Sequence, residues 1–321
     1  MGMKDVGNVK SADYFQINHE IRRMLAEKGV ILLPSPEAYE KMEWTREHFG
    51  QKPVEGYFIW VKKQVSYPIS TCIAISSPEV YQKPRNLVIV EKGVKAEVYS
   101  ICNAVKPNLS GKHVGYSKII LRENSTLKIR HFHKWGRTDE VSSVLDFLLE
   151  KGATAFSFYK SLAPPEKLTV ENRTVLDAYS SANFETSVLA KNGEVKLYDS
   201  IFLNGEKSSG IVKLRMVSGE NSKILSHSKI VAEKAGRGHV DCMGLLLSEN
   251  SSIDSIPELL NSNKNAVLTH EASIGKVSEE ELNYLRSRGL TEDEAINLIV
   301  TGFLGEALTY REYPIPAESH M

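Results

Sequence analysis

The chain has 321 residues, 40 Lys+Arg against 40 Asp+Glu, 41% hydrophobic residues and 25% charged residues. A balanced charge leaves no bulk electrostatic attraction for nucleic acid or an anionic membrane, and the composition is that of a folded globular protein. No apolar run approaches the roughly 20 residues that span a bilayer. We therefore expect a cytoplasmic protein that binds neither nucleic acid nor membrane.

Residues 1–55 are predicted to form an N-terminal helical region. Apolar residues at helical spacing over 13–28 predict a first helix, which Gly29 would end. Ser35, followed directly by proline, is typical of a helix start, and this second helix would run towards Gly50.

Residues 56–275 are predicted to form a β core. Short β-branched and aromatic runs appear at 57–61, 86–91, 95–101, 117–121 and 127–132. A Glu-Asn-Ser triplet recurs at 123–125, 220–222 and 249–251, each time before a strand-like run. A recurrence of roughly 30 residues favours stacked β-rungs, although the strands of an antiparallel sandwich give much the same signal.

Two segments with helical periodicity flank or interrupt this core. Apolar residues on one face of 139–150 predict a helical insertion. Residues 276–321 are predicted to form a C-terminal helical region, in which Ser278 and Thr291 each open a capping box. Leu282, Leu285, Ile299 and Phe303 give the resulting helical hairpin more apolar surface than it can bury internally.

Cysteine and histidine placement limits the metal chemistry that one chain can support. Cys72, Cys102 and Cys242 are too far apart for a disulfide framework, and they include no Cys-x-x-Cys pair. His131 and His133 alternate on a predicted strand and would point the same way, but core or surface histidines are the commoner outcome for such a pair.

The stretch 239–275 combines a thiol, an imidazole and a carboxylate in Cys242, His270 and Glu271. Cys242 and Glu271 lie 29 positions apart, about one repeat length, which predicts that one lies above the other on the same edge. A soft thiolate beside imidazole and carboxylate is a plausible mixed ligand set for iron or an iron–sulfur fragment.

Three motifs in the C-terminal third carry a family resemblance. His-Glu-Ala-Ser-Ile-Gly at 270–275, Glu-Leu-Asn-Tyr-Leu-Arg-Ser-Arg-Gly-Leu-Thr-Glu-Asp-Glu-Ala at 281–295 and Leu-Ile-Val-Thr-Gly-Phe at 298–303 resemble the signature of the SufB/SufD family. These are the iron–sulfur cluster assembly scaffold proteins of the SUF system. The resemblance implies a mainly β protein, a right-handed parallel β-helix flanked by N-terminal and C-terminal helical regions.

The resemblance also assigns roles to individual residues. Cys242 falls where SufB-type members carry the cysteine proposed to hold the nascent cluster, and His270 and Glu271 fall on their His-Glu pair. The SufB pattern Arg-Gly-Leu-Cys corresponds here to Lys-Gly-Ala-Thr at 151–154, without a thiol. We therefore do not expect sulfur delivery through a cysteine-lined tunnel in this protein.

The expected function is that of a SufB-like scaffold for a transient iron–sulfur cluster, without enzymatic turnover of its own. The resemblance implies a homodimer through the β-helix, iron–sulfur acceptor proteins as recipients, and a SufC-like ABC ATPase docked at the C-terminal region. We expect that contact at Leu282, Leu285, Ile299 and Phe303. The alternatives are a SufD-like partner subunit that binds no cluster, or a purely structural bridge for the ATPase. A β-helix carbohydrate-active enzyme has little support, because it needs paired carboxylates and an aromatic platform along the rungs.

Overall fold

A computed structural model describes residues 12–305, which form a β-solenoid of about eight turns with helices towards its two ends. The strands are β1 Ala12–Ile17, β2 Glu20–Ala26, β3 Val30–Pro34, β4 Tyr57–Val61, β5 Ile69–Ile75, β6 Tyr81–Gln82, β7 Arg85–Val90, β8 Lys95–Ala104, β9 Lys112–Leu121, β10 Thr126–Lys134, β11 Glu140–Leu149, β12 Thr154–Ser161, β13 Lys167–Leu176, β14 Ser181–Leu203, β15 Ser209–Ala232, β16 Arg237–Leu246, β17 Ser252–Asn261 and β18 Val267–Lys276. The helices are α1 Ser35–Lys41, α2 Arg46–Phe49, α3 Glu279–Ser287 and α4 Glu292–Phe303, with a 3-10 turn at Glu43–Thr45. Within residues 12–305, no helix is long and apolar enough to cross a membrane.

Two parallel stacks of strands form the walls of the solenoid. The first, called sheet 1, stacks β1, β5, β8, β10, β12, the first halves of β14 and β15, then β16 and β18. The second, called sheet 2, stacks β4, β7, β9, β11, β13, the second halves of β14 and β15, then β17. The predicted mainly β, parallel β-helix with terminal helical regions is confirmed.

The repeat predicted from the sequence is the number of positions between two residues that pair on neighbouring rungs. Lys95 pairs with Thr126, Ser181 with Ser209, and Arg237 with Val267, one turn apart in each case. Side chains alternate between the two faces of each strand, so every second residue points between the sheets. Those inward positions form one continuous apolar core. Large apolar side chains buried there contribute about 1.5–3 kcal/mol each.

The predicted helix over 13–28 is wrong, because this segment forms the antiparallel hairpin of β1 and β2. Ile17, Ile21, Met24 and Leu25 do fit a helical period, but β1 buries Tyr14 and pairs in parallel with β5. Pairing with the solenoid stabilises this segment more than a helix would, because the apolar face of such a helix would have nothing to pack against.

The predicted helical insertion at 139–150 is also wrong, because these residues form β11 inside sheet 2. Val141, Leu145 and Leu149 point into the core. Leu148, in contrast, points outward and is exposed, so apolar residues occur on both faces of the strand. That mixture imitates the i, i+3, i+4 spacing of a helix.

The second predicted N-terminal helix is present as two short helices, α1 and α2, joined by the 3-10 turn and ended at Gly50 with a φ of 72°. This helical segment covers the outer face of the first rungs of sheet 2, where it buries Phe58, Ile89 and Ile120. Residues 1–11 of the predicted N-terminal region lie outside the described part of the chain.

The two predicted C-terminal helices are confirmed as α3 and α4. The Ser278 hydroxyl accepts a hydrogen bond from the Glu281 amide at 3.1 Å, and Thr291 forms a complete capping box with Glu294. Residues 306–321 of the predicted C-terminal region lie outside the described part of the chain.

Three histidines lie inside the N-terminal half of the solenoid. Burial lowers the pKa of His113 and of His131 to about 4. Burial, with the charges of the other two rings, holds the pKa of His133 well below its usual range. His133 contacts the Tyr159 hydroxyl at 2.9 Å, whereas neither ring nitrogen of His131 has a hydrogen-bond partner among residues 12–305. All three rings are therefore neutral at pH 7.

We expect this interior to make the fold sensitive to mild acid. The unfolded chain binds protons at these histidines below pH 6.5 and the folded chain does not, so stability present above pH 6.5 is lost as the pH falls towards 4. Each ring with a folded pKa of about 4 lowers the free energy of unfolding by about 2 kcal/mol at pH 5. Measured by urea unfolding, the free energy of unfolding of the His131→Leu variant should fall by about 2 kcal/mol less than that of the wild type between pH 7 and pH 5. His239→Leu on the outer face is the control, and an unchanged pH dependence for His131→Leu would contradict the assignment.

Candidate functional site

The C-terminal end of the solenoid is open. β17 pairs only with β15 and β18 only with β16 among the described residues, so each leaves one backbone edge unpaired. Within residues 12–305 no further rung lies above the inward side chains of this last one, and Ile274 on β18 is consequently exposed. Ile256, Leu260 and Val267 add exposed large apolar side chains on the outer faces of the same two strands. An uncovered core and two free edges mark this end as a surface that favours contact with another molecule.

Cys242 lies one rung below this open end, on the inner face of β16, with 1% of its surface exposed. It pairs with Leu214 on the rung before and Ala272 on the rung after. The prediction that Glu271 lies above Cys242 is wrong, because the register pairs Glu271 with Asp241, one residue before the cysteine. Glu271 therefore belongs to the outer row of sheet 1.

His270 occupies the inner row with Cys242. It pairs with Val240, two residues before Cys242 on β16, which places the two α carbons about 8 Å apart from strand geometry. The structure thus brings Cys242 and His270 to one face and Glu271 to the other. Within residues 12–305, no three His, Cys, Asp or Glu side chains come close enough together to hold a metal ion.

The environment of Cys242 keeps its thiol protonated. Burial raises the pKa of the thiol, and the nearby carboxylates Asp199 and Asp241 add to that effect. The hydroxyls of Ser255 and Ser228 act in the opposite direction, because they can donate to the thiolate. A ligand that displaces the thiol proton therefore finds two hydroxyls already placed to support the thiolate.

Asp199 is a buried carboxyl in the surroundings of Cys242, and the sequence analysis missed it. It is buried on the inner face of β14 and accepts a hydrogen bond from the Asn172 amide at 2.8 Å. Burial raises its pKa to about 6, although that hydrogen bond acts to lower it. The sequence does contain a signal for it: Asp199 is a polar residue at an inward position, between the inward apolar residues Leu197 and Ile201 of a strand whose buried and exposed residues alternate. A carboxyl with that pKa can accept a proton near neutral pH.

Cys102 belongs to a different part of the interior. It pairs with His133 and Ile73 on neighbouring strands, and burial raises the pKa of its thiol. Five strand spacings separate β8 from β16 in sheet 1, a distance of about 24 Å. Cys102 and Cys242 therefore cannot share one ligand, and Cys72 lies on the outer face of the same N-terminal half.

The four predicted docking residues, Leu282, Leu285, Ile299 and Phe303, are all half-buried. Ile299 and Phe303 pack on the solenoid in the cluster built around Val217 and Leu245. The hairpin also presents Tyr284 and Leu298 to solvent as exposed apolar residues. Because Leu245 lies on β16, α4 rests on the strand that carries Cys242.

The family profile for the SufBD core domain of the SUF iron–sulfur cluster assembly system matches residues 73–303, most of the solenoid and both C-terminal helices. The chain belongs to the SufBD family. The resemblance found in residues 270–303 is thereby confirmed, and the fold and the candidate site both lie within the matched region.

Archaeal members of the SufBD family are among its relatives, each named an iron–sulfur cluster assembly SufBD family protein. The protein of Archaeoglobus fulgidus is 31% identical over 94% of this chain and 88% of its own length. The protein of Methanothermobacter thermautotrophicus strain Delta H is 30% identical over 82% of this chain and 66% of its own. The protein of Pyrococcus horikoshii is 28% identical over 90% of this chain and 69% of its own.

Burial in this SufBD protein predicts that its thiols react at different rates. Cys242 and Cys102 are buried with raised pKa values, so little thiolate is accessible at pH 7.5, whereas Cys72 is partly exposed. We expect iodoacetamide to label Cys72 at least tenfold faster than the other two, as measured by peptide mass spectrometry. The same experiment in urea, where all three should react alike, is the control. Rapid labelling of Cys242 in the folded chain would show that its burial is not maintained in solution.

Proposed function

We propose that this SufBD protein is a SufB-like scaffold that assembles nascent iron–sulfur clusters as cargo, together with a SufC-like ABC ATPase, in the cytoplasm. The observation that supports this most is the inward-facing Cys242, one rung below the open end and on the same face as His270. Thiolate and imidazole are ligands suited to iron and iron–sulfur fragments. Cys242 also favours the SufB-like role over a SufD-like subunit without a cluster.

The open end supports a homodimer. Two copies joined there through a two-fold axis would cover the exposed last rung of each and pair its free edges. The dyad would also double the number of ligands, from one Cys242 and one His270 to two of each. Glu271, which lies on the outer face of its own chain, would then be a ligand only if the partner copy approached that edge. Mixed ligation of this kind suits a cluster that must later be transferred to an acceptor.

The C-terminal hairpin offers a route from ATP hydrolysis to the thiol. We place the ATPase contact on α3 and α4, whose exposed apolar residues Tyr284 and Leu298 supplement the predicted docking residues. A movement of α4 would act on β15 and β16, because it packs on Val217 and Leu245. Displacement of β16 would loosen the packing around Cys242 and expose the thiol. In this proposal the ATPase performs the turnover and the SufBD chain performs none.

Cluster retention should depend on Cys242 and not on Cys102. After anaerobic reconstitution with iron and sulfide, we expect Cys242→Ala to lose most of the charge-transfer absorption and the iron–sulfur Mössbauer signal of the wild type. Cys102→Ala is the matched control, since it also removes a buried thiol from an inner row but lies about 24 Å away. Full retention by Cys242→Ala would exclude the proposed site, and the purely structural bridge for the ATPase would then become the better explanation.

The oligomeric state should depend on the open end. We expect light scattering to report two copies of the wild-type chain and one copy of Ile274→Asp, because the substitution places a charge in the uncovered row. Ile211→Asp is the control: Ile211 is 41% exposed on the outer face and Ile274 is 42% exposed at the end. A wild-type chain that stays single at tens of micromolar, alone and with its ATPase, would contradict the homodimer.

A further inference from the structure

A continuous row of apolar side chains crosses the outer face of sheet 2. Each strand of the sheet contributes one outward residue to this row, from Trp60 on β4 to Leu260 on β17. The register of the parallel pairs sets each of these residues directly beside the next. We call this row the outer apolar ladder.

Helices of the chain itself cover the first part of the ladder. Trp60, Ile89 and Ile120 pack against the α1–α2 segment, in the cluster that contains Ala38 and Phe49. Ile89 and Ile120 are buried as a result, although both point away from the core of the solenoid. The α1–α2 segment thus lies across three successive strands and buries one apolar side chain on each.

The helix α4 covers a second outer row in the same way, on sheet 1. Leu189, Val217 and Leu245 are neighbours in register on β14, β15 and β16. All three pack in one cluster with Val300 and Leu304 from the C-terminal helical region. At two places in this molecule, therefore, an outer apolar row with one residue per strand is the surface on which a helix packs.

The rest of the ladder is open to solvent within residues 12–305. Leu148 is 40% exposed and Leu260 is 43% exposed, and Val175, Phe202 and Val231 between them are partly exposed. A cleft of about 210 Å³ is lined by Leu148, Val175 and Phe202. We call these five residues the open ladder. A contiguous apolar row of this kind on a folded chain favours contact with another molecule.

The dimensions of the open ladder suit an α-helix. Neighbouring strands lie about 4.8 Å apart, so the row spans about 19 Å from β11 to β17. An α-helix rises about 5.4 Å per turn, so a helix of about 13 residues would set one apolar side chain per turn beside successive strands. Strand addition is not an alternative here, because both edges of β11 are already paired, with β9 and β13.

Charged side chains line one side of the cleft. Lys118, Asp146 and Arg173 are neighbours in register, in the outward row next to the ladder, and all three line the cleft. Asp146 accepts a hydrogen bond from the Tyr116 hydroxyl at 2.5 Å and lies 4.0 Å from the Arg173 guanidinium. Two cations beside one carboxylate leave this side of the cleft positive, which favours a carboxylate on the partner.

We infer that the open ladder is the docking surface for an amphipathic α-helix of a protein partner, whose apolar stripe lies on the ladder and whose carboxylates lie beside Lys118 and Arg173. The contact would repeat the one that the α1–α2 segment makes on the same row and that α4 makes on sheet 1. The open ladder lies on the outer face of sheet 2, whereas Cys242 lies inside the solenoid, so docking here is a further property beyond the proposed scaffold function.

Fluorescence anisotropy of the full chain with three fluorescein-labelled helical peptides of about 18 residues tests this inference. The acidic peptide carries leucines on one face and glutamates beside them. The scrambled peptide has the same composition, with its leucines distributed around the helix. The basic peptide has lysine in place of each glutamate. We expect the acidic peptide to bind about tenfold more tightly than the scrambled one and about threefold more tightly than the basic one.

Leu148→Asp should weaken binding of the acidic peptide about tenfold, because it places a charge in the apolar contact. Ile211→Asp is the matched control, since Ile211 is 41% exposed on the outer face of sheet 1, and it should bind within about twofold of the wild type. Lys118→Glu should weaken the acidic peptide and strengthen the basic one. Lys191→Glu, at an exposed lysine outside the ladder, should change neither.

Absence of peptide binding, equal affinity for the acidic and scrambled peptides, or equal weakening by Leu148→Asp and Ile211→Asp would overturn the inference. Two other outcomes would identify a different occupant and overturn it as well. Light scattering that reports two copies of the wild type and one copy of Leu148→Asp would identify a second copy of the chain. Hydrogen exchange that is slow at residues 1–11 or 306–321 of the wild type and fast in Leu148→Asp would identify a terminal segment of the same chain.

Thermal unfolding of each variant, expected within a few degrees of the wild type, shows that lost binding is not lost folding. Lys118→Glu leaves every apolar side chain of the ladder in place. Its opposite effects on the acidic and basic peptides therefore decide the question if Leu148→Asp does not fold.

Discussion

The stacking of one rung on the next, through hydrogen bonds between parallel strands one repeat apart in the chain, is the constraint on which the rest of this structure depends. It buries each inner row against the rows before and after it, so one continuous core runs through the solenoid. It also requires that the stack end somewhere. At the C-terminal end no described residue continues the stack, so among residues 12–305 the inner row and two strand edges of the last rung are left uncovered. The surface available for association is thus a direct consequence of how the fold is stabilised.

The same stacking decides which side chains can act together. An inner row brings together residues that lie one repeat apart in the chain. A shift of a single residue in the strand pairing moves a side chain to the opposite face of the sheet. Cys242 and His270 share the inner face, whereas Glu271 stands outside beside Asp241. Asp199, Ser228 and Ser255 join Cys242 from sheet 2, although burial of such polar groups opposes folding.

The helices bury apolar side chains on the outside of the solenoid. The segment formed by α1 and α2 covers the outer face of sheet 2 at Ile89 and Ile120, near the N-terminal end. At the other end, α4 covers Val217 and Leu245 on β15 and β16. The second contact links an element suited to docking with the strand that carries the buried thiol. On β8, β10 and β12 of sheet 1, cations and aromatic rings occupy outward positions of the strands.

The sequence by itself determined the approximate length of the repeat, the N-cap residues of α3 and α4 and the family signature around Cys242, His270 and Glu271. Each of these depends on local spacing or on residue identity, which can be seen without knowing what packs against what. The tertiary structure decided that 13–28 forms a hairpin, that 140–149 forms a strand and that the last register sets Glu271 beside Asp241 instead of Cys242. It also decided that Asp199 is buried on an inner face, where its carboxylate helps raise the pKa of the Cys242 thiol. The physical reason is that strand pairing and facing depend on contacts between residues far apart in the chain, and these override local periodicity wherever an apolar residue points outward or a polar one points inward.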